Sequence, residues 1–348
     1  MFYIHQTACI SPQFTFSNVD LLNLNGPVDN KLLVLEPSYP GIPASSLRRM
    51  GKAIRTGIGA ALPLLANTPP DGIVLATANG GMEDCIKFLN QMVTYQEVML
   101  TPGNFVQGTP NSIAGQLGMI TTNRGYNITH VHRGLAFENA ILDAAMLIKE
   151  NPGRSYLLGG VDEISLFDHN IDTLAGWFKT EPVNTEQFYQ LDSQGTVAGE
   201  GASMFIVNGT QTGAAVHVED MLTMHSRDEA HVSKQVELFL ARNTLAGQQI
   251  DLLLTGENGD NRFLKYYERC EVLMGAGTTT GRYKHLCGEY ATASAFALWL
   301  CCYILAKQIV PEHIIKKRGS TGKCRRILIY NNFKDVQHSL MLVSKAWE

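Results

Sequence analysis

One stretch limits what this chain can become more than any other. Residues 126–163, YNITHVHRGLAFENAILDAAMLIKENPGRSYLLGGVDE, read as strand, sharp turn, buried helix and strand. The helix over residues 135–148 is apolar on nearly every face and is interrupted only by Glu138, Asn139 and Asp143. It is too short to span a membrane, so it belongs inside a large domain. A buried helix whose N-terminus meets a turn offers free N–H groups and a positive dipole end, and a nucleophile placed there would be activated. The turn reads His132-Arg133-Gly134 and carries none; no cysteine lies between Cys85 and Cys270.

At 348 residues the chain holds a large core, as one big domain or two fused halves. A net charge of −4 gives no reason to expect nucleic acid as a partner. The seven cysteines form no CxxC pair and no zinc spacing, which points to reduced thiols of a cytoplasmic protein, with no metal and no cofactor expected. The start, MFYIHQTACI, lacks the basic residues and long apolar run of a signal peptide. The most apolar run, 291–309, contains Thr292, Ser294, Lys307 and Gln308 and reads as a core helix rather than a membrane span.

Taken in order, strands are expected at 2–10, 32–35, 71–76, 128–131, 156–158, 215–222, 251–254, 326–330 and 339–343, and residues 195–207 read as a glycine-rich turn leading into an apolar strand. Helices are expected at 45–65, 82–94, 112–117, 135–148, 233–245, 263–270 and 286–306. The first helix carries Arg48, Arg49, Lys52 and Arg55 on one side, which reads either as a solvated face or as a patch for an acidic partner. Residues 77–81, Thr-Ala-Asn-Gly-Gly, follow a buried strand and suit a close-packed turn better than a phosphate cradle. Glu200, inside the glycine-rich run 195–201, is placed to accept hydrogen bonds from turns. The polar break at 208–213 divides the chain into halves 1–208 and 209–348, each alternating strands and helices around one buried helix. The expected fold class is α/β, a layered α-β-α-β-α architecture with a duplicated topology.

The segments quoted resemble the β-ketoacyl synthase family of the thiolase fold. Leu47–Met50 resembles its early helix, residues 110–116 (PNSIAGQ) the segment before its catalytic strand, and residues 140–148 with Leu158-Gly159-Gly160-Val161-Asp162-Glu163 its buried helix and following strand end. Gly199-Glu200-Gly201-Ala202 resembles its Gly-Glu-Gly-Ala turn. The departures fall on the chemistry. Counted back from Ala140-Ile141, the family's catalytic cysteine position is Gly134. Its first histidine turn matches Leu254-Thr255-Gly256-Glu257-Asn258-Gly259, without a histidine; its second histidine matches Glu289, behind a retained Lys284. Its C-terminal glycine-rich loop reads Asn332-Phe333-Lys334-Asp335, where Phe333 is either the family's gating phenylalanine or a core residue.

The resemblance implies a subunit inactive alone, because Gly134 forms no thioester and Glu289 would repel a developing enolate. It implies a chain-length-factor-like partner of an active ketosynthase, closest to the aryl polyene and flexirubin types, acting in fatty acid or polyketide synthesis. Its implied partners are that ketosynthase in a heterodimer, or a second copy, and an acyl carrier protein met by Arg48, Arg49, Lys52 and Arg55. The sheet edge at 128–131 would pair across the dimer, and Phe137 with residues 104–112 would wall the acyl tunnel. His130 and His132, two apart, are expected on one side, as interface or core residues or, with Arg133, inside the old active-site cavity. Other readings are an acyltransferase or hydrolase with chemistry rebuilt on His132, Glu289 or a displaced Cys287, and a carrier-protein-binding scaffold.

Overall fold

The computed structural model describes residues 1–39, 41–66, 69–243, 249–320 and 322–346. The first strands are β1 (Phe2–Ile10), β2 (Gly72–Ala76), β3 (Tyr126–His130), β4 (Tyr156–Asp162) and β5 (Gly201–Asn208). The second set is β6 (Val216–His225), β7 (Leu252–Thr255), β8 (Thr279–Arg282), β9 (Arg326–Phe333) and β10 (Gln337–Lys345). In the first set β1 runs antiparallel to β5 and β5 antiparallel to β4, while β4, β2 and β3 are parallel. The second set repeats this: β6 antiparallel to β10, β10 antiparallel to β9, and β9, β7 and β8 parallel. The first strands of the two sets, β1 and β6, pair antiparallel along a seam, so the same strand order runs outward from it in both directions. The duplicated topology expected from the sequence is therefore present. On one outer edge β8 is covered by Ile315–Lys317, whereas on the other no strand among the described residues pairs with the outer side of β3.

Alternation along the strands sorts the apolar side chains into layers. On β2, Val74 and Ala76 face a central cluster while Ile73 and Leu75 face an outer one. On β9, Ile327 and Ile329 turn inward while Leu328 and Tyr330 turn outward. Strands buried on both faces read as continuous apolar runs, which is why these segments show no polar face. The helices are α1 (Lys52–Leu65), α2 (Met82–Thr94), α3 (Ser112–Ile120), α4 (Ala136–Glu150), α5 (Leu166–Leu174), α6 (Glu229–Asn243), α7 (Leu264–Val272) and α8 (Ala293–Lys307). α4 and α8 lie in the central layer, with Phe137, Ile141, Phe296 and Leu300 among its core residues. α1 and α3 cover one outer face and α6 and α7 the other. Among the described residues no helix is long and apolar enough to cross a membrane.

Two helix expectations need correction. The helix expected at 45–65 is a short turn at Ala44–Leu47 followed by α1, because the Gly51 N–H leaves the helix ladder and donates to Gln107 Oε1 at 2.7 Å. The helix expected at 286–306 is broken: Lys284–Cys287 ends at Gly288, which takes φ 74°, and α8 starts at Ala293. A Cβ at Gly288 would meet the backbone of Ala198 and Gly199, which Glu289 bridges through hydrogen bonds with Val197 and Gly199. Residues 166–174 carry no helix expectation and form α5. Leu245, at the end of the helix expected over 233–245, lies outside the described residues.

Candidate functional site

A cavity of about 470 Å³ opens where the turn before α4, helix α5, the β9–β10 turn and the Gly288 break converge. Arg133, Asn258, Glu289 and Phe333 line it, with Asp168, His169 and Asp172 of α5 on the facing wall. Arg133 bends the chain from β3 into α4 with φ 49°, a left-handed conformation that a non-glycine residue holds only when its surroundings impose it. The neighbouring Gly134 is buried, and any Cβ on it would overlap the Phe333 side chain. The Gly134 N–H donates to Gln337 Oε1 at 2.9 Å. The elbow thus presents Arg133 to the cavity, while the position after it has no room for a side chain.

Glu289 sits beneath, tied on both oxygens. Lys284 Nζ lies 2.6 Å from Oε1 and Asn258 Nδ2 donates to Oε2 at 2.7 Å. Lys284 is fully buried, so it neutralises Glu289 from behind and does not reach the cavity. Thr255 is buried under the floor, donating to the Gly281 carbonyl at 3.1 Å; from its turn Asn258 is the residue that reaches the site. At the rim, Lys334 pairs with Asp172 at 2.6 Å and stacks over the Trp177 ring, and Arg262 pairs with Asp260 beside the same ring.

Of the other expected pocket residues, His130 points away and pairs with Asp143 at 2.9 Å. His132 lies beyond the end of β3, so strand alternation does not reach it; it is exposed and outside the cavity lining. Phe137 is a core residue against Phe205, with ring centroids 5.9 Å apart. Residues 104–112 do not line the cavity either. Glu200 is a buried anchor that accepts from Val34 N–H at 3.0 Å and Ile164 N–H at 2.8 Å and pairs with Lys52 at 2.7 Å. Its donors lie outside the glycine-rich run 195–201 from which the sequence expects them, and Glu200 does not line the cavity. Cys287 is fully buried, and burial pushes its thiol well up, so it is no displaced nucleophile.

The turn 77–81 is not free to hold phosphate: Asp162 Oδ1 accepts from the Ala78 and Asn79 N–H groups at 2.8 Å each. Burial pushes the Glu163 carboxyl up to about 7, and burial likewise raises Asp168. In the basic face, Arg48 and Arg49 are exposed, but Arg55 is bound by Glu36 at 2.5 Å and Lys52 by Glu200. The wall residues Asp168, His169, Asp172 and Trp177 are ones that sequence reasoning misses. Helix α5 is largely inside out, with Leu166 at 57%, Phe167 at 40% and Leu174 at 90% exposure while Asp168, His169 and Asp172, beside Ile171, line the cavity. Hydrophobic periodicity marks the wrong face of such a helix; the pair Asp168 and Asp172, four apart, is the one signal that could have found it.

These features define a thiolase-fold protein whose strand order is duplicated about a seam, with a cavity whose lining among the described residues holds no thiol. Residues 30–165 match the family model for the beta-ketoacyl synthase N-terminal domain. That match spans 136 of the 348 residues, and the whole chain has the fold of solved ketosynthases. It superposes on the ishigamide ketosynthase/chain length factor with TM-score 0.76 at 14% identity, covering 99% of this chain and 98% of that one. It superposes on the ketosynthase ApeO in complex with its chain length factor ApeC from Xenorhabdus doucetiae with TM-score 0.78 at 12% identity, over 99% and 98% of the chains. A third match, AntDE:AntF, a type II acyl-carrier protein in complex with its ketosynthase, has TM-score 0.77 at 13% identity, over 99% and 98%. No curated protein sequence matches the chain.

Proposed function

We propose that this chain is a ketosynthase homologue without its own condensing chemistry, acting as the chain-length-factor-like partner of an active ketosynthase. The observation that carries the reading is Arg133 at the left-handed elbow, where its side chain, and no thiol, meets the cavity. On this reading Arg133 takes the nucleophile's place, one residue before the Gly134 counted from the sequence. Asn258 and Glu289 take the places of the two histidines. An arginine forms no thioester, and a carboxylate opposes rather than stabilises an enolate. A rebuilt hydrolase is not favoured, since His132 is outside the cavity and both oxygens of Glu289 are engaged.

The open edge β3 supports a paired assembly. An exposed strand edge is a template for another strand; exposed Val131 follows it in sequence, and exposed Met119, Ile120 and Met146 lie on the two helices that contact it, α3 and α4. On this reading β3 meets its counterpart on the partner, with a second copy of this chain as the alternative occupant. Exposed Arg48 and Arg49 meet an acyl carrier protein, and the two halves divide at residues 208/209. The pathway is of the aryl polyene or flexirubin type, and the protein is cytoplasmic.

The test is to co-express the chain with a ketosynthase that has an intact Cys-His-His set and supply acyl and malonyl carrier protein. Both chains are then weighed intact. Acylation of the partner alone, with turnover requiring both chains, supports the reading. Acylation or malonyl condensation by this chain alone overturns it.

A further inference from the structure

The cavity keeps polar groups that the chain itself does not satisfy. Ser165 is 1% exposed, caps α5 by position, yet its Oγ makes no hydrogen bond among the described residues. Asp168 Oδ2 and His169 Nε2, on the same turn, are also buried without partners among the described residues. All three residues line the one cavity. Buried orphan polar atoms are costly, and three on one wall mark a surface built to face a polar ligand. The charges sort the same way. Asp172, Asp260 and Glu289 are paired with Lys334, Arg262 and Lys284, and Arg227 pairs with Asp335 at 3.5 Å. Glu163 turns its carboxylate to the Ala53 N–H of α1. Arg133 alone among the cavity's cations has no ion pair or side-chain hydrogen bond among the described residues, and its backbone is held in a strained conformation that keeps it there. Phe178, Phe263, Tyr290 and Phe333 supply apolar wall between the polar ends.

From this we infer that the cavity binds, without a covalent bond, an amphipathic molecule carrying a carboxylate, with the carboxylate on Arg133 and a hydrogen-bonding group on Ser165, Asp168 and His169. The inference rests on the reading of Arg133 as the residue in the nucleophile's place: a planar guanidinium turns a covalent acyl site into one that recognises an acid. The volume is in the range of small-molecule pockets. Two sources share this chemistry, a free organic acid and the terminal carboxylate of a carrier-bound acyl group.

Isothermal titration calorimetry on the full chain separates them. Octanoate is compared with octanamide, and malonyl-pantetheine with acetyl-pantetheine. The expected result is a preference of about tenfold or more for the charged member of one pair, lost in Arg133→Gln and partly kept in Arg133→Lys. A preference for octanoate identifies the free acid; a preference for malonyl-pantetheine identifies the carried one. Arg133→Gly guards against a folding artefact, because glycine accepts the left-handed backbone and should lose the preference with no loss of thermal stability. Absence of a carboxylate preference in both pairs, or its survival in Arg133→Gln, overturns the inference. Ketosynthase co-purification is read separately, so an assembled complex with no carboxylate preference sinks this inference alone.

Discussion

The backbone N–H of Gly134 donates to Gln337 Oε1 at 2.9 Å, and the space beside it is filled by Phe333. An N–H of the turn that leads into α4 is thus satisfied by the chain's own side-chain amide, and the β9–β10 turn is locked against the elbow. Gly134→Ala should overpack this contact and cost about 1–3 kcal/mol in urea denaturation. Adding Phe333→Ala in the same chain should recover part of the loss, a coupling read from the double-mutant cycle. Additive losses would show that Phe333 does not plug the position.

The Lys284–Glu289 pair makes a second prediction. Both groups are buried, and breaking one leaves the other charged and unmatched. Lys284→Met should destabilise by about 3–5 kcal/mol, while Lys284→Met with Glu289→Gln should recover most of it. An equal loss in the single and double variants would mean that packing, not charge, sets the effect.

Glu163 sets a pH dependence. Burial first, then nearby Asp84 and Glu200, push its carboxyl from 4.5 up to about 7. Between these values the unfolded chain has released the proton that the folded chain keeps, so Glu163 lowers stability as pH rises through this window. The loss levels off above about 7 and is on the order of 3 kcal/mol. Glu163→Gln keeps an oxygen for the Ala53 N–H and has no such window. The stability of the variant relative to the parent should therefore grow between pH 4.5 and 7 in denaturation series. A constant difference would remove Glu163 as the source.

The thiols should be inert in the native state. Cys9, Cys270, Cys287, Cys301, Cys302 and Cys324 are buried and Cys85 is half-buried. Burial pushes the Cys9 and Cys324 thiols up to about 12. Iodoacetamide mass mapping should find Cys85 modified first, with the other six requiring denaturant. Early modification of Cys287 would reopen it as a nucleophile.

The basic face should divide in two. Arg48→Glu with Arg49→Glu should weaken salt-sensitive carrier-protein binding and leave thermal stability unchanged, since both side chains are exposed. Arg55→Ala should instead lose its pair with Glu36, costing about 0–1 kcal/mol, with little effect on the carrier. Equal effects on binding from both variants would make the patch one undivided surface.

Strands buried on both faces announce themselves as apolar runs, and so β2 and β7 are legible in the sequence alone, β1 by its β-branched and aromatic residues without a breaker, and α2 and α4 by their helical pattern. So is the lack of any cysteine between Cys85 and Cys270, because a residue type is a property of the chain by itself. The elbow is not. Whether Arg133 or Gly134 faces the cavity depends on a φ value and on Phe333, which arrives from near the far end of the sequence. The partners of Glu289 and Glu200 are likewise set by contacts between distant segments. α5 inverts the usual rule by turning its polar side inward, and periodicity assigns faces only on the assumption that apolar residues point to the core. Local pattern therefore determined most of the elements, though not α5 or the helix breaks at Gly51 and Gly288, and the absence of a cysteine between Cys85 and Cys270. Tertiary packing decided which side chains meet in the cavity, since that depends on long-range contacts and backbone dihedrals that no local pattern encodes.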